Sequence, residues 1–183
     1  MISCLFVCLH YIAVIELLFC DDMSNMNTWI ISDSKHVEDG GGDGRCADPE
    51  DTCVRIRGYP NEDCYIKRSI GHTYTRYTLK FDITVYKMED VNYCRISYSF
   101  DDNTYIELVS YQGGGLADDG AVQYLDQVFS FDSSVGNQVY IKLETDGDSD
   151  GGNDSCYYDN VCLYGQGLFL SLIHISEPTR QLC

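Results

Sequence analysis

Residues Tyr77–Tyr86 read YTLKFDITVY. Leu79, Phe81, Ile83 and Val85 alternate with Lys80, Asp82, Thr84 and Tyr86. A period of two places the first set on one face of a β-strand and the second on the other. A strand with one apolar face needs a second layer to cover it. The same alternation recurs outward from this run. Downstream, Tyr93–Phe100, the turn Asp101-Asp102-Asn103 and Tyr105–Tyr111 read as an antiparallel hairpin. Ala121–Phe131, Gln138–Thr145 and Cys156–Tyr164 read as further strands. Upstream, Asn27–Ser32, Cys53–Arg57 and Cys64–Arg68 are shorter ones, and Val37–Glu50 reads as a loop rich in Gly and acids. Many short strands, separated by turn residues and without a helical period, predict an all-β, antiparallel two-sheet β-sandwich of jelly-roll type.

Composition bounds the function. The 183 residues include 12 Lys plus Arg against 29 Asp plus Glu, a formal net charge of −17. That argues against nucleic acid and anionic membrane surfaces as partners, because both require clustered positive charge. Aromatic residues make up 13% of the chain, with 15 Tyr, which sets it apart from a disordered acidic tail. Ten Cys with no CxxC pair and only four His suit disulfides in an oxidising compartment better than zinc.

Both ends read differently from the middle. Residues 1–20, MISCLFVCLHYIAVIELLFC, resemble a secretory signal peptide followed by the polar Asp21-Asp22. Residues 170–180, LSLIHISEPTR, resemble the translation of a transposon-based sequencing adapter, so 170–183 is read as an adapter-derived scar. The sandwich domain is then residues 21–169. It holds Cys46, Cys53, Cys64, Cys94, Cys156 and Cys162, an even set that suits three disulfides of open connectivity. Asn153-Asp154-Ser155 is a sequon, which predicts a glycan on Asn153 in a secreted chain.

The strand Tyr77–Tyr86, the hairpin CRISYSFDDNTYIELVSY, the strand QVYIKLET and the closing CYYDNVCLYG together resemble an extracellular jelly-roll module. They are similar to the MAM and galactose-binding-like (carbohydrate-binding-module) sandwiches, whose final strand often reads aromatic-Asp-Asn-Val, here Tyr158-Asp159-Asn160-Val161. The resemblance spans Trp29 to Gly165. It implies a binding or adhesion module rather than a catalyst.

Candidate metal ligands follow. Asp159 shares parity with Val161 and Leu163, and a carboxylate on an inner face is costly unless paired or metal-bound. The resemblance implies that the matching acid helps to hold a structural Ca²⁺ beside an N-terminal loop, here the Gly-rich loop with Glu38, Asp39 and Asp43. Such a loop can supply both carboxylates and carbonyls to a hard cation. Asp146, Asp148 and Asp150 form a DxDxDG run, but Tyr157 stands where an EF-hand needs its bidentate Glu. Trp29, Tyr111, Tyr124 and Tyr157 are the aromatic residues taken as candidates to stack on sugar rings.

Catalytic signatures are missing. GxSxG, HExxH and a P-loop do not occur, and neither does the ExDxxE strand pattern of sandwich glycosidases. The expectation is a non-enzymatic, secreted or extracellular-surface module that recognises a glycan or an extracellular protein, with calcium as a structural ion. The alternative is an accessory domain of a larger, truncated secreted enzyme.

Overall fold

The computed structural model describes residues 9–32, 36–40, 45–46, 52–58, 64–71, 74–88, 92–112, 120–133, 138–146 and 154–172. They form strands β1 (Leu9–Asp21), β2 (Ile30–Ile31), β3 (Val37–Asp39), β4 (Val54–Arg57), β5 (Cys64–Ile70), β6 (Arg76–Tyr86), β7 (Tyr93–Ser99), β8 (Ile106–Gln112), β9 (Ala121–Asp132), β10 (Val139–Asp146) and β11 (Ser155–Leu172). All strand pairs are antiparallel. One sheet runs β3-β4-β11-β6-β9, with β1 also paired to β11; the other runs β2-β5-β10-β7-β8. This is the two-sheet antiparallel sandwich that the alternation predicts.

The core lies between the sheets. From the first sheet it takes Val54, Ile56, Leu79, Phe81, Ile83, Val85, Tyr158, Val161 and Leu163. From the second it takes Ile66, Ile70, Ile96, Val139, Ile141 and Leu143. Every one of these is buried, so the period-two reading of the strands translates directly into packing. The Cys94–Cys156 disulfide joins β7 to β11 and so ties the two sheets together. A second bridge, Cys46–Cys53, lies beside β4.

Three local features differ from the sequence reading. Residues 9–20, read as part of a leader, form most of β1, which pairs with β11 out to Leu172. The third bridge is Cys20–Cys162 within that pair, whereas Cys64 is buried in the core outside all three bridges. Counting cysteines only after Asp21 therefore put Cys64 in place of Cys20. Val37–Asp39, read as loop, adds a short strand to β4.

A further difference concerns Asp159. A bulge between Asp159 and Cys162, with Asn160 at φ 50°, shifts the alternation of β11 by one residue. Asp159 pairs with Asp82, on the outer side of the sheet, while Val161 and Leu163 still face the core. The shared parity assumed from the sequence stops at this bulge.

Candidate functional site

The outward side of the β2-β5-β10-β7-β8 sheet gathers aromatic and charged groups. On β10, Val139, Ile141 and Leu143 point inward, so Tyr140, Lys142 and Glu144 point out. On β5 the outward residues are Tyr65 and Lys67, and on β7 they are Tyr93, Arg95, Ser97 and Ser99. Register aligns them in rows. Glu144 lies between Tyr65 and Arg95, Lys142 between Lys67 and Ser97, and Tyr140 between Ser69 and Ser99.

Two lysines directly across a ladder repel one another. Here each has its own carboxylate. Lys67 Nζ donates to both oxygens of Asp102 at 2.8 Å, and Lys142 Nζ pairs with Glu144. Arg95 also pairs with Glu144, and lies 3.8 Å from Glu107. The face thus balances Lys67, Arg95 and Lys142 against Asp102, Glu107 and Glu144, on a chain of net charge −17.

The 101–105 turn folds over this face. The Asp101 carboxylate accepts from the backbone N–H groups of Asn103 and Thr104 and from the Ser99 hydroxyl. These bonds hold its pKa down at about 2. Asp102, at φ 60°, turns its carboxylate toward Lys67 and accepts the Tyr105 hydroxyl at 2.5 Å. Burial, then that hydrogen bond, pushes the Tyr105 phenol up. Burial and a hydrogen bond to Asp146 push the Tyr93 phenol up to about 12. The Lys142 ammonium sits 4.8 Å from the Tyr65 ring and 5.2 Å from the Tyr105 ring, and the Arg95 guanidinium sits 4.4 Å from the Tyr93 ring. At neutral pH the face offers phenol hydroxyls, fixed charges and partly exposed rings, the mixture that bonds hydroxyl groups and stacks on flat apolar ones.

The aromatic residues singled out from the sequence lie elsewhere. Trp29 is 5% exposed; it packs edge-on to Phe19, and its Nε1 donates to Asp21 at 2.9 Å. Tyr157 is 1% exposed under Gly40, where an added Cβ would meet its ring at 2.8 Å. Tyr111 is 8% exposed at the seam between β8 and β9, 4.5 Å from the Tyr124 ring, and its hydroxyl donates to Gln127. These rings close the ends and the edge of the sandwich. Of the residues on this face that the sequence reading did not single out, Tyr65, Tyr93, Tyr140 and Lys142 are legible as the non-core parity of their strands, whereas Tyr105 stands in the turn before β8.

Among the described residues, the carboxylates singled out for calcium each stand at a separate place in the fold. Glu38 accepts from Arg55 Nη1 at 3.0 Å and Arg57 Nε at 2.7 Å. Asp39 ends β3, Asp146 ends β10 beside Tyr93, and Asp159, 1% exposed, accepts from the Asn160 N–H. Among the described residues no three His, Cys, Asp or Glu side chains are grouped to hold a metal. Asp43, Asp148, Asp150 and the sequon residue Asn153 lie outside the described residues. Among the described residues, no helix is long and apolar enough to cross a membrane.

The opposite sheet has a face of different character. A cavity of 260 Å³ there is lined by Ile15, Thr78, Lys80, Tyr164, Gly165 and Gln166. Ile15, Leu17 and Val128 are exposed.

No protein-family model and no curated protein sequence matches the chain. Solved structures do. A family 61 carbohydrate-binding module, TmCBM61, in complex with β-1,4-galactotriose aligns with a TM-score of 0.51 at 13% identity, over 76% of this chain and 90% of that one. The K3 cleaved adhesin domain of Lys-gingipain from Porphyromonas gingivalis W83 aligns at 0.50 and 12%, over 82% and 99%. The CBM22-1 xylan-binding domain of Paenibacillus barcinonensis Xyn10C aligns at 0.50 and 8%, over 81% and 93%. At these identities the likeness is one of architecture: the chain folds as a β-sandwich of the kind found in carbohydrate-binding modules.

Proposed function

We propose that the chain is a non-catalytic, extracellular carbohydrate-binding module, and that the outward face of the β2-β5-β10-β7-β8 sheet is its glycan site. The observation that carries this reading is the joint placement of Tyr65, Tyr93, Tyr105 and Tyr140 with the paired charges of Lys67, Arg95, Lys142, Asp102 and Glu144 on one sheet face. Tyrosine rings stack on the apolar faces of sugars, and fixed donors and acceptors beside them select hydroxyl positions. The charge balance of the face favours a neutral saccharide, since Lys67, Arg95 and Lys142 each already hold a carboxylate that an anionic sugar would have to displace. The fold's likeness to carbohydrate-binding modules supports the same reading. The three disulfides support an oxidising, extracellular location.

The test is a panel of soluble oligosaccharides titrated calorimetrically into the oxidised chain. The panel includes β-1,4-galactotriose and xylohexaose. Saturable binding that Tyr65→Ala weakens at least tenfold is the expected result. Binding to none of the panel, or binding that Tyr65→Ala leaves intact, overturns the assignment. An extracellular protein as partner is the second reading. It is favoured by the exposed Ile15, Leu17 and Val128 on the opposite sheet.

A further inference from the structure

The glycan reading leaves one residue of the face in an unexpected position, and the inference that follows rests on that reading. Lys142 stands in the middle row, between Lys67 and Ser97. Its ammonium lies within 5.2 Å of two ring centroids, Tyr65 and Tyr105, and is paired with Glu144. The side chain is only 18% exposed, although it points away from the core. A ring carrying an ammonium does not present that surface to a sugar.

A second observation lies beside it. Ser97 sits directly across from Lys142 on β7, is 2% exposed, and its hydroxyl has no hydrogen-bond partner among the described residues. A buried hydroxyl without a partner is uncommon and costs free energy. Ser97 shares the outward face with Lys142, so the unsatisfied hydroxyl sits beside the Lys142 side chain rather than in the core.

We infer that Lys142 is a gate over the glycan site. In the ligand-free domain its side chain covers the Tyr65 and Tyr105 rings and the Ser97 hydroxyl. Ligand entry moves it aside, so that a sugar ring stacks on the tyrosines and a sugar hydroxyl pairs with Ser97. The long, flexible Lys stem permits the movement. The cation–aromatic contacts and the Glu144 ion pair hold the gate shut; the ring contacts are individually modest, and Glu144 keeps Arg95 as a partner when Lys142 moves. Residue 142 thereby sets the affinity of the site.

The test compares the native chain with Lys142→Ala and Lys142→Ser, titrated with β-1,4-galactotriose and xylohexaose. Both variants are expected to bind at least fivefold tighter than the native chain, or to bind where the native chain does not. Equal or weaker binding by both variants, with the native chain binding, overturns the gate and leaves the glycan site standing. Binding by none of the three overturns both. A readout on the native chain is the NMR shift of the Lys142 ε-methylene. It is displaced upfield by the two rings in the free protein and moves toward the ordinary lysine value at sugar saturation. An ε-methylene shift that saturating sugar leaves unmoved overturns the gate, whatever the variants do.

Discussion

The hydroxyl of Tyr158 donates to the backbone carbonyl of Glu144 at 2.9 Å, and so joins the inner side of one sheet to the strand that carries the candidate site on the other. The same hydroxyl lies 3.3 Å from the Arg95 carbonyl. Glu144 and Arg95 are the residues whose side chains pair on the outward face. The Cys94–Cys156 bridge stands next to both strands of this junction. The floor of the site is thereby held from behind by one phenol and one disulfide. Burial keeps that phenol protonated, its pKa raised well above the ordinary tyrosine value.

Tyr158→Phe is expected to lower unfolding stability by about 1–2 kcal/mol, because two buried carbonyls lose a shared donor while the packing is kept. Urea denaturation monitored by circular dichroism measures it. A loss below about 0.3 kcal/mol contradicts this function for the hydroxyl.

Replacing Cys94 and Cys156 together with Ala is expected to cost about 2–4 kcal/mol, the usual effect of opening a cross-link between distant segments. Thermal melts of native and variant chains under oxidising conditions check the loss. Peptide mapping without reduction is expected to recover Cys94–Cys156, Cys46–Cys53 and, where the N-terminal segment is retained, Cys20–Cys162. A map that links Cys64 to any of these cysteines contradicts that pairing.

Asp101 makes the 101–105 turn pH-sensitive in one direction. Its folded pKa of about 2 lies below the unfolded value of 3.8. Its contribution is therefore fully present above about pH 4 and is lost as pH falls from about 4 toward 2. Asp101→Asn is expected to flatten the fall in melting temperature over that window and to leave the profile above pH 5 unchanged in shape. An unaltered slope between pH 4 and 2 contradicts the assignment.

The fold is readable in the sequence wherever alternation is unbroken, as at Leu79-Phe81-Ile83-Val85 and Val139-Ile141-Leu143. It is misread where alternation breaks. The bulge at Asn160 needs a positive φ, which Asn adopts more readily than most residues but does not require, so parity alone puts Asp159 on the wrong face. Residues 9–20 are apolar enough for a leader and for a strand alike, and in this structure they pair with β11. The candidate face escapes the sequence for a related reason. Tyrosine content says nothing about which rings are open. Trp29 and Tyr157 are covered by contacts made across 8 and 112 residues, with Asp21 and Arg45 respectively. Tyr65 and Tyr105 meet around Lys142 only once β5, β10 and the 101–105 turn are assembled.

Calcium stays a proposal that rests on the resemblance, and Glu38 provides a sharp test of it. Its carboxylate is already neutralised by Arg55 and Arg57 and is more than a third exposed. Glu38→Gln is therefore expected to cost less than about 1 kcal/mol. Any rise in melting temperature on adding calcium is expected to be the same in this variant as in the native chain. A calcium-dependent rise that Glu38→Gln abolishes contradicts a purely ion-pairing role for this carboxylate and places Glu38 in a metal site.

The most direct measurement is residue-resolved NMR of the isotope-labelled chain during titration with whichever oligosaccharide of the panel binds. Shifts concentrated on Tyr65, Tyr105, Tyr140, Lys142 and Ser97 are expected. Shifts concentrated instead on Lys80, Tyr164 and Gln166 would contradict this placement, by moving the glycan site to the opposite sheet.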